Sequence, residues 1–303
     1  MAAVIFGVFW QVLMPIVLAA GLGYLLARRI HLPSQHLSRV AFYILSPCLL
    51  FDKLSHSSLS GSQLGQIATF AVATMLGTAL LAWMAARALR SSRSQTAAFV
   101  LAALAGNTGN YGLAANQFAF GPAALEPAVV YYAVSTLMIA TLGVYVVSAG
   151  QQGAAAALRS LWRVPLTYAG VLGVAVWATG VPVPVPVERT ASLLGQGAIP
   201  VMLVLLGVQL AGVRLQNSLT RISLAAAVKL LGGMAVGLLV AHWMGLSGLT
   251  RQSSVLQASM PTAVMATVLA DEYHAEAAFT AGVVMASTLG SLVTLTLLLS
   301  FLI

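Results

Sequence analysis

The sequence predicts an all-α membrane protein of ten transmembrane helices, arranged as two inverted five-helix repeats with the fourth and ninth helices broken. Three observations predict it. The 303 residues are 60% hydrophobic and only 7% charged, and the mean hydropathy is +0.95, a composition no soluble domain has. Glycine and asparagine interrupt one of the apolar segments in Gly106-Asn107-Thr108-Gly109-Asn110-Tyr111-Gly112. Short matches between the two halves of the chain recur at a nearly constant offset.

Composition also excludes classes. Open sheets cannot span a bilayer, and these apolar runs are too long and continuous for barrel strands. A net charge of +8 would suit nucleic acid, but Lys and Arg are parcelled into short loops between apolar runs, which points to a topology signal instead. Met1-Ala2-Ala3 has no basic stretch, so the first span is expected to be retained rather than cleaved as a signal. The single cysteine, Cys48, leaves no intramolecular disulfide and no cysteine metal cluster. No nucleophile–base pair, metal cluster or phosphate loop is legible, so neither an enzyme, a cofactor nor a pump powered in cis is expected.

The ten spans are expected at 4–27, 34–54, 63–88, 94–119, 122–148, 164–181, 187–210, 219–245, 249–270 and 276–302. Arg28 and Arg29 follow the first, and Asp52 and Lys53 end the second at the interface. Arg93 opens the fourth and Gly121-Pro122 closes it. Glu126 and His242 also read as interface residues, and Gly233 and Gly237 as a packing face. The run Val181-Pro182-Val183-Pro184-Val185-Pro186-Val187 reads as an extended connector. Ala154–Ala157 with Arg159 and Arg163 form the longest loop, which divides the chain into repeats at 1–150 and 151–303. Alternate loops hold Arg28 and Arg29; Arg87, Arg90 and Arg93; Arg159 and Arg163; Arg214 and Arg221. The positive-inside rule puts these in the cytoplasm and both termini outside.

The break in the fourth span lies near mid-membrane. Arg93 and Gly121 each stand 14 residues from Asn107, ~21 Å of helix per arm. Irregular backbone at that depth is tolerated only where protein buries it or a cavity needs it. The repeat places its counterpart. Pro15-Ile-Val-Leu-Ala-Ala-Gly-Leu-Gly23 matches Pro165-Leu-Thr-Tyr-Ala-Gly-Val-Leu-Gly173 at Pro, Ala, Leu and Gly, an offset of 150. Ser46-Pro47-Cys48-Leu49-Leu50 aligns with Ile199-Pro200-Val201-Met202-Leu203 at 153. The same step carries Thr108 onto Pro261, inside Gln257-Ala258-Ser259-Met260-Pro261-Thr262. Five spans per repeat is odd, so the second copy must be inverted, and matched breaks in inverted repeats are a transporter pattern.

Three stretches are similar to the auxin efflux carrier family, which includes plant auxin exporters and bacterial carriers of malonate or malate type. They are Gly106-Asn107-Thr108-Gly109-Asn110-Tyr111-Gly112, Ser46-Pro47-Cys48-Leu49-Leu50-Phe51, and Met260-Pro261-Thr262-Ala263-Val264 running into Leu269-Ala270-Asp271-Glu272-Tyr273. The chain departs from many members in continuing with Leu113-Ala114-Ala115 where they have proline. The resemblance implies a fold shared with bile-acid–sodium symporters. Spans 1, 2, 6 and 7 would form a scaffold, and spans 3–5 and 8–10 a mobile transport bundle in which spans four and nine cross. It further implies elevator-type alternating access and a homodimer through spans 2 and 7. Among bacteria such a carrier would sit in the inner membrane.

The substrate-binding candidates are Asn107, Gly109, Asn110, Tyr111, Lys229, Gln257, Ser259, Pro261 and Thr262. One of the two asparagines is expected to cap a half-helix and the other to touch substrate. Pro261 suits the first position of the second half of span nine. Ser259 and Thr262 either join the site or bond nearby carbonyls. Lys229 lies ~15 Å from the nearer end of its span, beyond the reach of a snorkelling stem, so it is expected to face inward. The function expected is secondary transport of a small organic anion, auxin-like or a mono- or dicarboxylate, drawn by helix N-termini and Lys229. Two rivals remain: a sodium-coupled organic anion symporter using the oxygens of Asn107, Asn110, Gln257, Ser259 and Thr262, and a membrane sensor that binds without moving its ligand. No nucleic acid partner and no metal are expected.

Overall fold

The computed structural model describes residues 2–30, 32–148, 161–213 and 219–303. Ala154–Ala157, Arg159 and Arg214 lie outside them. Among the described residues every regular element is helical. In chain order these are α1 (Ala3–Ile30), α2 (34–55), built from Ser34–Val40, a π-turn at Ala41–Leu45 and Ser46–Ser55, and α3 (Gly61–Ala88). Then come α4 (Arg93–Leu104), α5 (Gly112–Phe120) and α6 (Pro122–Val147). The second half holds α7 (Pro165–Thr179), α8 (Val185–Ala211) and α9 (Leu219–Trp243), α10 (Gly248–Ala258), α11 (Met265–Glu272) and α12 (Ala277–Leu302). Six of these, α1, α3, α6, α8, α9 and α12, are long and apolar enough to cross a membrane.

Local sequence explains the ends. Ser60 and Gln63 form a capping box at the start of α3, and Ser92 and Gln95 repeat it at α4; each satisfies N–H groups that the first turn leaves free. The proline-rich connector is shorter than expected. Only 181–184 is extended, and α8 starts at Val185, because Pro186 falls in the first turn, where a missing N–H costs no helical bond.

Packing sorts the helices into two groups. In the first, α8 lies along α1, and α7 and α8 both cover α2. Helices α1 and α8 approach to backbone contact at two glycines. A Cβ on Gly23 would overlap the carbonyl of Val204, and one on Gly207 the carbonyl of Ala20. In lipid, where apolar surface gains little by leaving its solvent, such close approach is a main source of helix association. Gly207→Val is expected to lower stability by ~1–3 kcal/mol through overpacking. Thermal unfolding in detergent checks it, and an unchanged midpoint would mean that the helices separate at no cost.

In the second group α3 packs on α4, α6 and α9; α12 packs on α4, α9 and α11; and α10 packs on α6, α9 and α5. Its interior is apolar with hydroxyls bonded internally: Thr74 Oγ1 lies 3.1 Å from the Tyr131 hydroxyl and donates to Phe70 O at 2.8 Å. The groups meet where α6 touches α2 and α7, α12 touches the start of α1, and α5 touches α8.

Candidate functional site

Two helices of the second group are interrupted. The backbone leaves α4 after Leu104 and resumes at Gly112; it leaves α10 after Ala258 and resumes at Met265. The two gaps pair with each other in an antiparallel bridge between Gly106 and Thr262. Asn107 N donates to Pro261 O at 2.7 Å, and Ala263 N to Ala105 O at 2.7 Å. A short piece of extended pairing thus stands where four helix ends converge, and each gap supplies partners for the other's orphaned backbone.

The end of α4 can be accounted for carbonyl by carbonyl. Leu101 O accepts from Ala105 N at 2.9 Å, and Leu104 O from Gly106 N at 2.9 Å. Ala102 O accepts from Thr262 Oγ1 at 3.0 Å. Ala103 O accepts from Lys229 Nζ at 2.9 Å. Lys229 is 5% exposed and sits in a π-turn of α9 at Val228–Gly232. An ammonium at a helix C-terminus neutralises the negative end of the helix dipole. The fit is close: a Cβ on Gly106 would lie 3.1 Å from Nζ.

Side chains from neighbouring helices hold the gaps. Gln257 Nε2 donates to Thr108 O at 3.2 Å and to Ala128 O at 3.0 Å; its Oε1 is buried without a partner among the described residues. Thr108 Oγ1 and Ser135 Oγ share a hydrogen bond of 2.6 Å, and Thr262 N donates to Ser287 Oγ at 3.0 Å. Asn116, wholly buried in α5, donates to Gly112 O at 2.8 Å, and its Oδ1 has no partner among the described residues.

The predicted residues separate into roles. Asn107, Lys229, Gln257, Pro261 and Thr262 come together at the crossing. Gly109 gives passage to Tyr132, whose Cε2 would stand 2.7 Å from an added Cβ. Tyr111 is buried and turns its hydroxyl to Ser291 of α12, 3.4 Å away. Ser259 bonds back into its own helix, donating to Val255 O at 2.8 Å. Asn110 alone points at the first group: its Nδ2 donates to Gln209 Oε1 of α8 at 3.3 Å, and Gln209 Nε2 to Ser38 Oγ of α2 at 3.5 Å. Two expectations of detail change. No asparagine caps α5, which follows Tyr111 without a side-chain cap; the Gly112 N–H instead goes to Asn107 O at 2.9 Å. Pro261 is not the first residue of a half-helix, since its carbonyl is committed to Asn107 and α11 starts at Met265.

Among the described residues no group of His, Cys, Asp and Glu is assembled that would hold a metal ion, and no carboxylate pairs with Lys229. Sequence reasoning missed Thr108, Ser135, Gln209 and Ser287. Ser135 and Ser287 lie 152 residues apart, so the repeat offset, carried one span further, would have found that pair.

With this geometry in hand, two comparisons bear on the chain. A family model described as membrane transport protein matches residues 8–299. An uncharacterized transporter of Methanothermobacter thermautotrophicus is 29% identical over 265 residues, which cover 86% of each chain. With the family model matched over nearly its whole length, the chain belongs to the membrane transport protein family, that of the auxin efflux carriers.

Proposed function

We propose that this membrane transporter is a secondary carrier of a small organic anion, auxin-like or a mono- or dicarboxylate such as malonate or malate, that works by elevator-type alternating access. One observation supports it most: two interrupted helices pair through their gaps, α5 and α11 start just after those gaps, and the ammonium of Lys229 stands at the end of α4 beside them. Helix N-termini and a desolvated cation both favour an anion. Asn110 is the substrate contact on the face toward α8, and Asn107, whose side-chain amide makes no hydrogen bond among the described residues, is the second.

The packing supports a scaffold of α1, α2, α7 and α8 and a mobile bundle of the remaining helices. The contact from Asn110 to Gln209 across the groups is long, at 3.3 Å, as a sliding surface requires. The paired gaps and the matched serines support two inverted repeats of five spans. On this reading the scaffold also forms a homodimer through α2 and α8, and both termini lie outside the cytoplasm of a bacterial inner membrane. A cysteine at Arg90, in a Cys48→Ser background, should then react with impermeant maleimide only from the cytoplasmic side, and one at the exposed Ser62 only from outside; the reverse pattern overturns the orientation.

Uptake by counterflow in proteoliposomes, with malonate, malate and indole-3-acetate as trial substrates, tests transport itself. A protein that binds an anion yet shows no counterflow would be a sensor. Sodium is not expected to be needed. Lys229 already fills the cation-favouring end of α4, and among the described residues no carboxylate pairs with it there. Replacing sodium by choline should leave the rate unchanged; its loss would favour a sodium symporter.

A further inference from the structure

A groove of about 700 Å³ runs along α4 in the second group. Its walls are the last turns of α3, the length of α4 and the end of α6, with Leu80, Val100, Leu142 and Val146 among the apolar lining. Arg87 and Arg93 stand at one end and Leu104, the last residue before the break, at the other. From Arg93 to Leu104 the helix has 12 residues, ~18 Å, a little more than one leaflet of a ~30 Å hydrocarbon core.

The charged end is built with more care than a topology signal requires. Neither Arg87 nor Arg93 forms an ion pair among the described residues. The Ser91 hydroxyl between them is buried without a hydrogen-bond partner among the described residues. The turn that joins α3 to α4 is a Schellman cap: Ser91 N donates to Ala86 O and Arg90 N to Arg87 O, both at 3.0 Å. Its left-handed position, normally glycine, is Arg90 at φ 51°. A third arginine is therefore kept where its backbone is strained. Two free guanidinium groups, an unused hydroxyl and the N-terminus of α4 all suit a phosphate, and the apolar cleft behind them suits an acyl chain.

We propose that this groove is a binding site for an anionic glycerophospholipid, with its phosphate at Arg87, Ser91 and Arg93 and one acyl chain running along α4 toward Leu104. The chain end then lies against the helix that carries the first gap, so occupancy stiffens α4 as the bundle moves. The free surface of a membrane protein touches lipid everywhere; what distinguishes this site is selection by headgroup charge.

Trp83 lines the groove and is 48% exposed. The test keeps it as the lone tryptophan, with Trp10, Trp162, Trp177 and Trp243 changed to Phe, in nanodiscs of mixed phosphatidylglycerol and phosphatidylcholine. Bromine on the phosphatidylglycerol chains should quench Trp83 with an apparent association at least about fivefold above bromine on phosphatidylcholine chains, the factor one basic residue contributes near an anionic surface. Arg87→Gln, Arg90→Gln and Arg93→Gln together should bring the ratio to one. Ala97→Phe, which fills the groove and leaves the arginines, should reduce quenching by both lipids. Arg90→Gly should raise the melting temperature by relieving the backbone and still lower the ratio. Equal quenching by the two lipids in the parent protein overturns the proposal. So does displacement of the brominated lipid by millimolar glycerol phosphate, which would mark a site for soluble anions.

Discussion

On the proposed function, Lys229→Met should weaken binding of the anion by ~1.5–3 kcal/mol, the range for a hydrogen bond to a charged group, or about 10- to 150-fold in Kd. The stem survives and the charge goes. The loss at Ala103 O is offset by the removal of a buried charge, whose desolvation opposes folding, so thermal stability without ligand should change little. Lys229→Arg should not restore affinity. The ammonium is packed against Gly106, and a planar guanidinium fork needs room that the crossing does not provide. Titration of the anion followed by thermal shift separates the two quantities. Wild-type affinity in Lys229→Met would leave the N-termini of α5 and α11 as the anion-holding device. A large fall in unliganded stability with affinity intact would make the lysine a strut.

Gly112→Ala should damage stability and transport together. The added Cβ would fall on Gln257 Oε1 and lie 3.1 Å from Met260 Cγ. Gln257 cannot retreat freely, because it is buried and its amide holds Thr108 O and Ala128 O. Displacing it leaves two buried carbonyls without donors, at ~1–3 kcal/mol each. The expected result is a loss of about 2–5 kcal/mol in stability together with transport. Gln257→Leu should reproduce much of it, and the double variant should cost much less than the sum of the two, since both act on the same pair of carbonyls. Additive losses would show that Gly112 and Gln257 act separately.

Much of this site is legible in the sequence. Gly106 to Gly112 announced a break because glycine and asparagine have no economical place in a lipid-facing helix, and the repeat offset carried that break to Pro261. The mid-span position of Lys229 required an inward role. Periodicity could not say where Lys229 ends up. Its partner is a backbone carbonyl, Ala103 O, and every residue has one. The same limit left open where the Thr262 hydroxyl goes: it reaches across to Ala102 O rather than back along its own helix. The asparagine cap failed for a related reason. The Gly112 N–H finds Asn107 O through the chain reversal, so the side chains of Asn107 and Asn110 are left for other work. Gln209 was missed because an amide near the end of an apolar span reads as an interface residue unless its neighbour across the groups is known.

The central claim is that α1, α2, α7 and α8 stay fixed while the other helices move past them as a body. Pulsed electron spin resonance on the reconstituted protein tests it most directly. Spin labels at Arg29, at the end of α1, and at Arg90, in the α3–α4 turn, report across the two groups; labels at Arg90 and Leu219 report within the second. With trial anion added, the pair across the groups should show two distances whose populations shift with saturation, and the pair within one group should keep a single distance. A protein that transports its anion while the Arg29–Arg90 distance stays single and unchanged would contradict the account.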